Sequence, residues 1–175
     1  SRKNPRIQRI KKLLSSSSYR QSERVFIIEG VRLVEEAIAS GWVVQEVYIS
    51  DSLSERGKAL LTNHATPDSV MYKVSDDVMV DLSDTATPQG ITAVLLQQEM
   101  AIPKCPDFLL ILDAIRDPGN VGTILRTASA AGVNAVLIAP ETADPFSPKV
   151  LRAGMGAQLK LPVSLCSWES ISSLI

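Results

Sequence analysis

Phe108-Leu109-Leu110-Ile111-Leu112 is an unbroken apolar run, and no other segment restricts the fold so sharply. Five consecutive apolar side chains leave no polar face, so a strand made from them is covered on both sides, as in a parallel sheet between helices. Turn-forming residues from Asp113 to Asn120 lead into a helical stretch through Ala131 that Gly132 ends, and Ala135-Val136-Leu137-Ile138 is the next strand. Ser147-Pro148 supplies a hydroxyl cap and a proline at the first helical position, opening a helix toward Gly154-Met155-Gly156. Leu159 to Val163 reads as a third strand, and Trp168 to Ile175 begins another helix. Residues 107–175 are therefore expected to form a parallel α/β unit, about half of an ordinary doubly wound domain. A half sheet leaves an apolar edge uncovered. The chain is accordingly expected to be a fragment, or to complete itself with a partner.

Residues 25–97 repeat the alternation on a smaller scale. Val25 to Ile28, Val43 to Ile49, Val70 to Val74 and Ile91 to Leu96 read as strands. Helices are expected over Val31 to Ser40, from a Ser54 cap to Asn63, and after Ser75, where Asp76 and Asp77 favour a helix start. The result is a compact α/β sandwich. Residues 98–106, with Pro103 and Pro106 and little periodicity, read as a linker.

Charge is distributed unevenly. The 175 residues hold 18 bases and 19 acids, a formal net charge of -1. Residues 1–24 nevertheless carry eight bases against the single acid Glu23, so a basic arm precedes an acidic body. Within the arm, Ile7, Ile10, Leu13 and Leu14 fall at helical spacing between cations, Ser15 to Ser18 is expected to end that helix, and Tyr19 to Arg24 leads out. Such a helix is ordinarily a solvated face. No apolar run reaches the roughly 18 residues a membrane span needs, and no leader pattern opens the chain, which implies a soluble, cytoplasmic protein without a membrane partner. Cys105 and Cys166 are isolated from each other and from His64, so neither zinc-type spacing nor a disulfide framework is expected; His64 reads as an exposed helix-end residue and no metal is expected.

Candidate chemistry sits after the first rear strand. Asp117-Pro118-Gly119-Asn120-Val121-Gly122-Thr123 lies between strand and helix, where parallel sheets bind ligands, yet it matches neither dinucleotide nor triphosphate glycine patterns. It reads equally as a tight turn or a ligand cradle. On a helical wheel Val121, Ile124, Leu125 and Ala128 share one face while Arg126 points away. Arg126 is then either an ordinary solvated arginine or a planar donor aimed at a phosphate or a second subunit. The run Asp144 to Ala157, ending in small residues, reads as a glycine-rich helix end or as a close-packing surface. No nucleophile triad is visible.

Taken in order, Asp117 to Ala128 with Gly132-Val133, then Lys149-Val150-Leu151-Arg152-Ala153-Gly154-Met155-Gly156-Ala157 with Leu161-Pro162-Val163, resemble motifs of the SpoU (TrmH) family of RNA ribose 2'-O-methyltransferases. Asn4-Pro5-Arg6-Ile7, Phe26 to Leu33 and Thr87-Pro88-Gln89-Gly90-Ile91 resemble the small substrate-binding domain often fused ahead of it. The resemblance implies an α/β chain: a small L30e-like sandwich that presents RNA, followed by an incomplete SPOUT domain, a parallel-sheet α/β knot holding S-adenosylmethionine. It implies homodimers, rRNA or tRNA as partner, and methyl transfer to a ribose 2'-hydroxyl. It places Arg126 at the reaction centre, contacting RNA phosphate and helping deprotonate the hydroxyl, with Asn120 beside it. The chemistry needs such a donor, because a 2'-hydroxyl is a poor nucleophile until its developing charge is stabilised and the methyl is held in line.

Two departures matter. The family often has Ser where Gly154 stands, and its third motif (a Gly-x-Glu-Gly loop, an Ile-Pro-Met turn and a Ser-Leu-Asn helix start) is absent up to Ile175. The cofactor pocket is therefore expected mostly beyond Ile175, no cofactor-binding residue is assigned, and the chain alone is not expected to methylate. With RNA as ligand the basic arm acquires a purpose: Arg6, Arg9, Lys11, Lys12 and Arg20 are expected to contact the phosphate backbone. Aromatic residues are 5% of the chain, which favours backbone or shape recognition over extensive base stacking. The alternatives are a non-catalytic RNA-binding module and, further off, a flavodoxin-like or nucleotide-binding signalling domain.

Overall fold

A computed structural model describes residues 4–63, 69–85 and 87–174; His64 lies outside them. The chain divides into two compact units, Ser1–Gln97 and Gln98–Ile175.

The front unit is built on four strands, β1 (Val25–Glu29), β2 (Val44–Ile49), β3 (Val70–Lys73) and β4 (Ile91–Leu96). Their order is β1-β4-β2-β3, with β4 antiparallel to both neighbours and β2 parallel to β3. Helix α1 (Pro5–Ser15) buries Ile7, Ile10 and Leu13 against Val25, Ile27, Tyr48 and Val94 on one sheet face, beside Met79 and Leu82 from the α5 region. Residues 4–24 are thus no free arm: the apolar stripe of α1 is part of the core. The Ser run does not simply terminate it either. Ser16 closes α1 by donating its N–H to the Lys12 carbonyl, and its Oγ accepts from Tyr19 N (3.2 Å), opening a second helix, α2 (Ser17–Glu23).

Helix α3 (Val31–Ala39) packs on β1 and β4, and α4 (Glu55–Asn63) packs on α3. Phe26 and Trp42 meet edge to face at 5.3 Å. Gly30, at φ 93°, turns the chain from β1 into α3, and Gln89 Oε1, 58 residues away, accepts from Val31 N at 3.3 Å. The Glu-Gly and Pro-Gln-Gly motifs therefore meet as a cap. Helix α5 (Asp76–Asp81) starts at Ser75 as expected, but Ser75 makes no side-chain cap bond.

The rear unit has three parallel strands, β5 (Leu109–Leu112), β6 (Ala135–Ile138) and β7 (Val163–Leu165), in consecutive order. Helix α6 (Pro118–Ala130) joins β5 to β6, and α7 (Pro148–Ala153) lies between β6 and β7. Both cover one sheet face through Val121, Leu125, Ala128 and Val150 against Leu112, Val136 and Ile138. The opposite face has a smaller core, Leu137, Ala139 and Ile171, the last from α8 (Trp168–Leu174). The third strand begins at Val163 instead of Leu159. Gly156, at φ 76°, sends the chain into a tight 3-10 turn, Ala157–Leu159, which buries Leu159 before Leu161 and Pro162 lead into β7.

Candidate active site

The carboxyl edge of the rear sheet is a pair of tied loops. After β5, Ala114 adopts φ 52°; after β6, Glu141 adopts φ 66°. Non-glycine residues in the left-handed region store local strain that the surroundings must hold. The holding contacts are an Arg116–Glu141 ion pair, the Ala143 amide on the Ile115 carbonyl (2.8 Å) and Thr142 Oγ1 on the Leu112 carbonyl (3.0 Å).

From this rim α6 departs. Asp117 Oδ1 accepts from Asn120 N at 2.8 Å, and Pro118 takes the first turn, where its missing N–H costs nothing. Val121, Gly122, Leu125 and Ala128 are buried, whereas Thr123, Arg126 and Thr127 are exposed. Both threonine hydroxyls are spent on the helix itself, Thr123 on Gly119 O and Thr127 on Thr123 O, each at 2.9 Å. Arg126 makes no ion pair among the described residues, so its donor fork stands open to solvent. Asn120 is exposed too, but the two are not neighbours: six residues along one helix separate them by about 9 Å and roughly a third of a turn. The expected pairing of Asn120 beside Arg126 is not made within α6.

The glycines serve packing. A Cβ on Gly122 would lie 2.5 Å from Ala153 Cβ and 2.8 Å from Gly154 N and Val150 O. Gly122 therefore lets α6 and α7 touch backbone to backbone, which settles that position as a helix crossing. Gly154 completes the contact, 3.3 Å from Gly122 O by the same measure. Crossing the helices here opens a depression of about 360 Å³ lined by Asp117, Pro118, Gly119, Lys149, Arg152 and Ala153. Sequence reasoning gave Lys149 and Arg152 no role. The available signal was their i, i+3 spacing after Ser147-Pro148, which puts both on one face of α7.

For the sulfonium cofactor, the described residues make a rim and no complete pocket. The one buried, unpartnered side-chain acceptor of the described rear unit is Gln158 Oε1, while Gln158 Nε2 donates to Pro145 O (2.8 Å). That oxygen faces Gly154, where a Cβ would stand 3.1 Å away. It answers a missing hydroxyl more than a missing ligand, and no cofactor-holding residue is assigned.

The expected RNA contacts divide. Arg20 is 4% exposed and gives Nη1 to the carbonyls of Leu13 (2.5 Å) and Leu14 (3.3 Å), a structural cation on the C-terminal end of α1. Arg9 is held by Glu46 (2.8 Å) and Glu23 (3.2 Å); burial opposes its charge, but the two carboxylates outweigh that and raise its pKa. Lys11 pairs with Asp81 at 3.2 Å. Arg20 is buried on main-chain carbonyls, while Arg9 and Lys11, half-buried, are held by carboxylates of the front unit. Arg6 and Lys12 remain on the surface, over the rings of Tyr72 (4.4 Å) and Tyr19 (4.1 Å).

Residues 107–175 match the SpoU rRNA Methylase family, and residues 4–93 match the MRM3-like substrate binding domain. The chain belongs to the SpoU methylase family. This SpoU chain is 37% identical over 163 residues to the 23S rRNA (guanosine(2553)-2'-O)-methyltransferase RlmP of Bacillus subtilis, a match spanning 93% of this chain and 62% of that protein. It is 34% identical to the human mitochondrial rRNA methyltransferase 3, across 97% of this chain and 42% of the relative. Among solved structures, the SpoU methyltransferase AviRb of Streptomyces viridochromogenes in complex with AdoMet gives a TM-score of 0.88 at 26% identity, covering 98% of this chain and 66% of that one. An AdoMet-bound rRNA methyltransferase from Sinorhizobium meliloti gives 0.83 at 28% identity, covering 99% and 66%. The SpoU chain thus spans under two thirds of the length of these relatives. Among its described residues no helix is long and apolar enough to cross a membrane, and no group of His, Cys, Asp and Glu is arranged to hold a metal ion.

Proposed function

We propose that the whole protein transfers a methyl group from S-adenosylmethionine to a ribose 2'-hydroxyl of ribosomal RNA. The observation that carries this is Arg126: an arginine directed outward from α6, without an ion pair among the described residues, on a helix that leaves a strained, tied rim. A guanidinium so placed holds an RNA phosphate through its donor fork and stabilises the oxygen that loses its proton. S-adenosylmethionine, when bound, would supply the electrophilic methyl, while Arg126 would steady the ribose oxygen as its proton passes to solvent. Lys149 and Arg152, beside the start of α6, add positive charge for the same strand. Asn120 acts from the first turn of α6, and a second subunit would close the distance to Arg126. Homodimer assembly and cytoplasmic residence belong to this reading. Ribosomal RNA is preferred to tRNA because the named relatives act on rRNA.

The test is methyl incorporation from radiolabelled cofactor into deproteinised ribosomal RNA, with cofactor calorimetry alongside, on the full-length protein. Incorporation at a ribose is expected. Cofactor binding without incorporation into any ribosomal RNA would move the substrate to another RNA; no cofactor binding would leave a non-catalytic RNA-binding module.

A further inference from the structure

The front unit has a cleft of about 270 Å³ between the start of α1 and the β3–α5 junction, lined by Asn4, Arg6, Tyr48, Tyr72, Lys73 and Ser75 with apolar walls from Ile7, Val74 and Val78. We propose that this cleft is a pocket for one unstacked nucleobase of single-stranded RNA. The proposal rests on the methyltransferase reading for its ligand class and goes beyond it in naming a site and a strand state.

Three features fit a base in particular. The first is a flat platform held in place: Tyr72 stacks on Tyr48 at 5.1 Å and 30°, and the Arg6 guanidinium lies 4.4 Å from the Tyr72 centroid. Tyr48 is itself fixed, buried and donating its hydroxyl to Glu46 at 2.5 Å, and burial together with Glu46 pushes that hydroxyl far above its ordinary pKa. Aromatic rings and arginine planes are the surfaces on which unpaired bases stack, and one such platform needs few aromatic residues in the chain. The second feature is polar groups at the edge. Asn4 Oδ1 is committed to Arg6 N (2.9 Å), which leaves its amide N–H2 for a base edge, and Ser75 holds a cap position without making the cap bond. The third is charge at the mouth. Arg6 is exposed, and Lys73, though paired to Asp51 at 2.7 Å, is solvated enough for a phosphate to compete. A duplex keeps its bases stacked inside and cannot use such a pocket.

The experiment uses the full-length protein and a short single-stranded oligoribonucleotide of mixed sequence carrying one 2-aminopurine, with the same strand annealed to its complement as control. Single-strand binding should quench the 2-aminopurine, and the duplex should not. Tyr72→Leu should abolish the quenching and weaken binding about tenfold, and Arg6→Gln and Ser75→Ala should weaken it by smaller factors while melting like the parent. Should Tyr72→Leu fail to fold, Arg6→Gln carries the test. Equal quenching of single strand and duplex, or parental affinity in folded Arg6→Gln and Ser75→Ala, overturns the pocket. Methyl incorporation into deproteinised ribosomal RNA by the parent full-length protein separates the failures: incorporation with an indifferent cleft sinks the pocket alone, whereas neither RNA binding nor incorporation sinks the catalytic reading with it.

Discussion

The two units treat charge and cover in opposite ways. In the front unit Arg9, Lys11, Arg56 and Lys73 are all paired to carboxylates, Arg20 is consumed by the end of α1, and helices lie on a sheet whose central residues are buried on both faces. In the rear unit Arg116 pairs with Glu141, but Arg126 and Lys149 stand outward without an ion pair among the described residues. One sheet face there carries a nine-residue core and the other only three buried residues, with Phe108, Leu165, Trp168 and Leu174 each more than 40% exposed. A segment's net charge therefore says little about where its charge is available: half of the six described cations of the basic stretch, Arg9, Lys11 and Arg20, are engaged inside the front unit, and the outward arginine of the candidate site belongs to the acidic part of the chain.

The comparison breaks first at Arg126. Arg126→Ala in the complete protein should lower turnover by two or more orders of magnitude while calorimetry finds cofactor affinity near normal. Turnover within a few-fold of the parent would return Arg126 to the ordinary solvated class. Next is the α6–α7 crossing. Gly122→Ala forces backbone atoms apart and should cost about 1–3 kcal/mol in denaturant unfolding. At Gly154 the contact is less severe, and Gly154→Ser should exceed Gly154→Ala in stability by about 1 kcal/mol, because its hydroxyl can donate to the orphaned Gln158 oxygen. In the front unit, Arg20→Leu should cost about 2–3 kcal/mol, since the Leu13 and Leu14 carbonyls lose a buried charged donor. A neutral result there would restore Arg20 to the surface. The smallest effect concerns Asp76, whose pKa is lowered by hydrogen bonds from Ser50 and Ser52. A depressed carboxylate stabilises above its unfolded pKa and loses that contribution as pH falls through the lower folded value. Asp76→Asn should therefore lower stability slightly at neutral pH, flatten the acid limb of the melting profile below about pH 4, and converge with the parent once Asp76 is protonated.

Strands were readable wherever an apolar run met a turn signal: β1, β2, β4, β5 and β6 begin within a residue of expectation because periodicity and burial agree there. The failures share a cause. Helix α2 hides behind a serine run whose members act as caps, so one residue type signals both an end and a beginning. Leu159 and Leu161 look like strand and are instead anchors of a turn forced by Gly156. The outward direction of Arg126 followed from the helical wheel alone. The burial of Arg20 could not, since its acceptors are main-chain carbonyls with no sequence signature, and Gly122 needed the path of α7 before its purpose could be known.

The consecutive order of β5, β6 and β7 carries a consequence in handedness. Right-handed crossovers advancing one way along a sheet deposit every connecting helix on the same side, as α6 and α7 are deposited. Loops leaving such strands curl in a common direction, which is why Ile115 and Ala143 can share a hydrogen bond at all. Many parallel sheets place their ligands where the winding reverses and neighbouring loops splay. These three strands have no reversal, so a guest at their edge meets a closed lip, already ordered before it arrives, in place of an open fork.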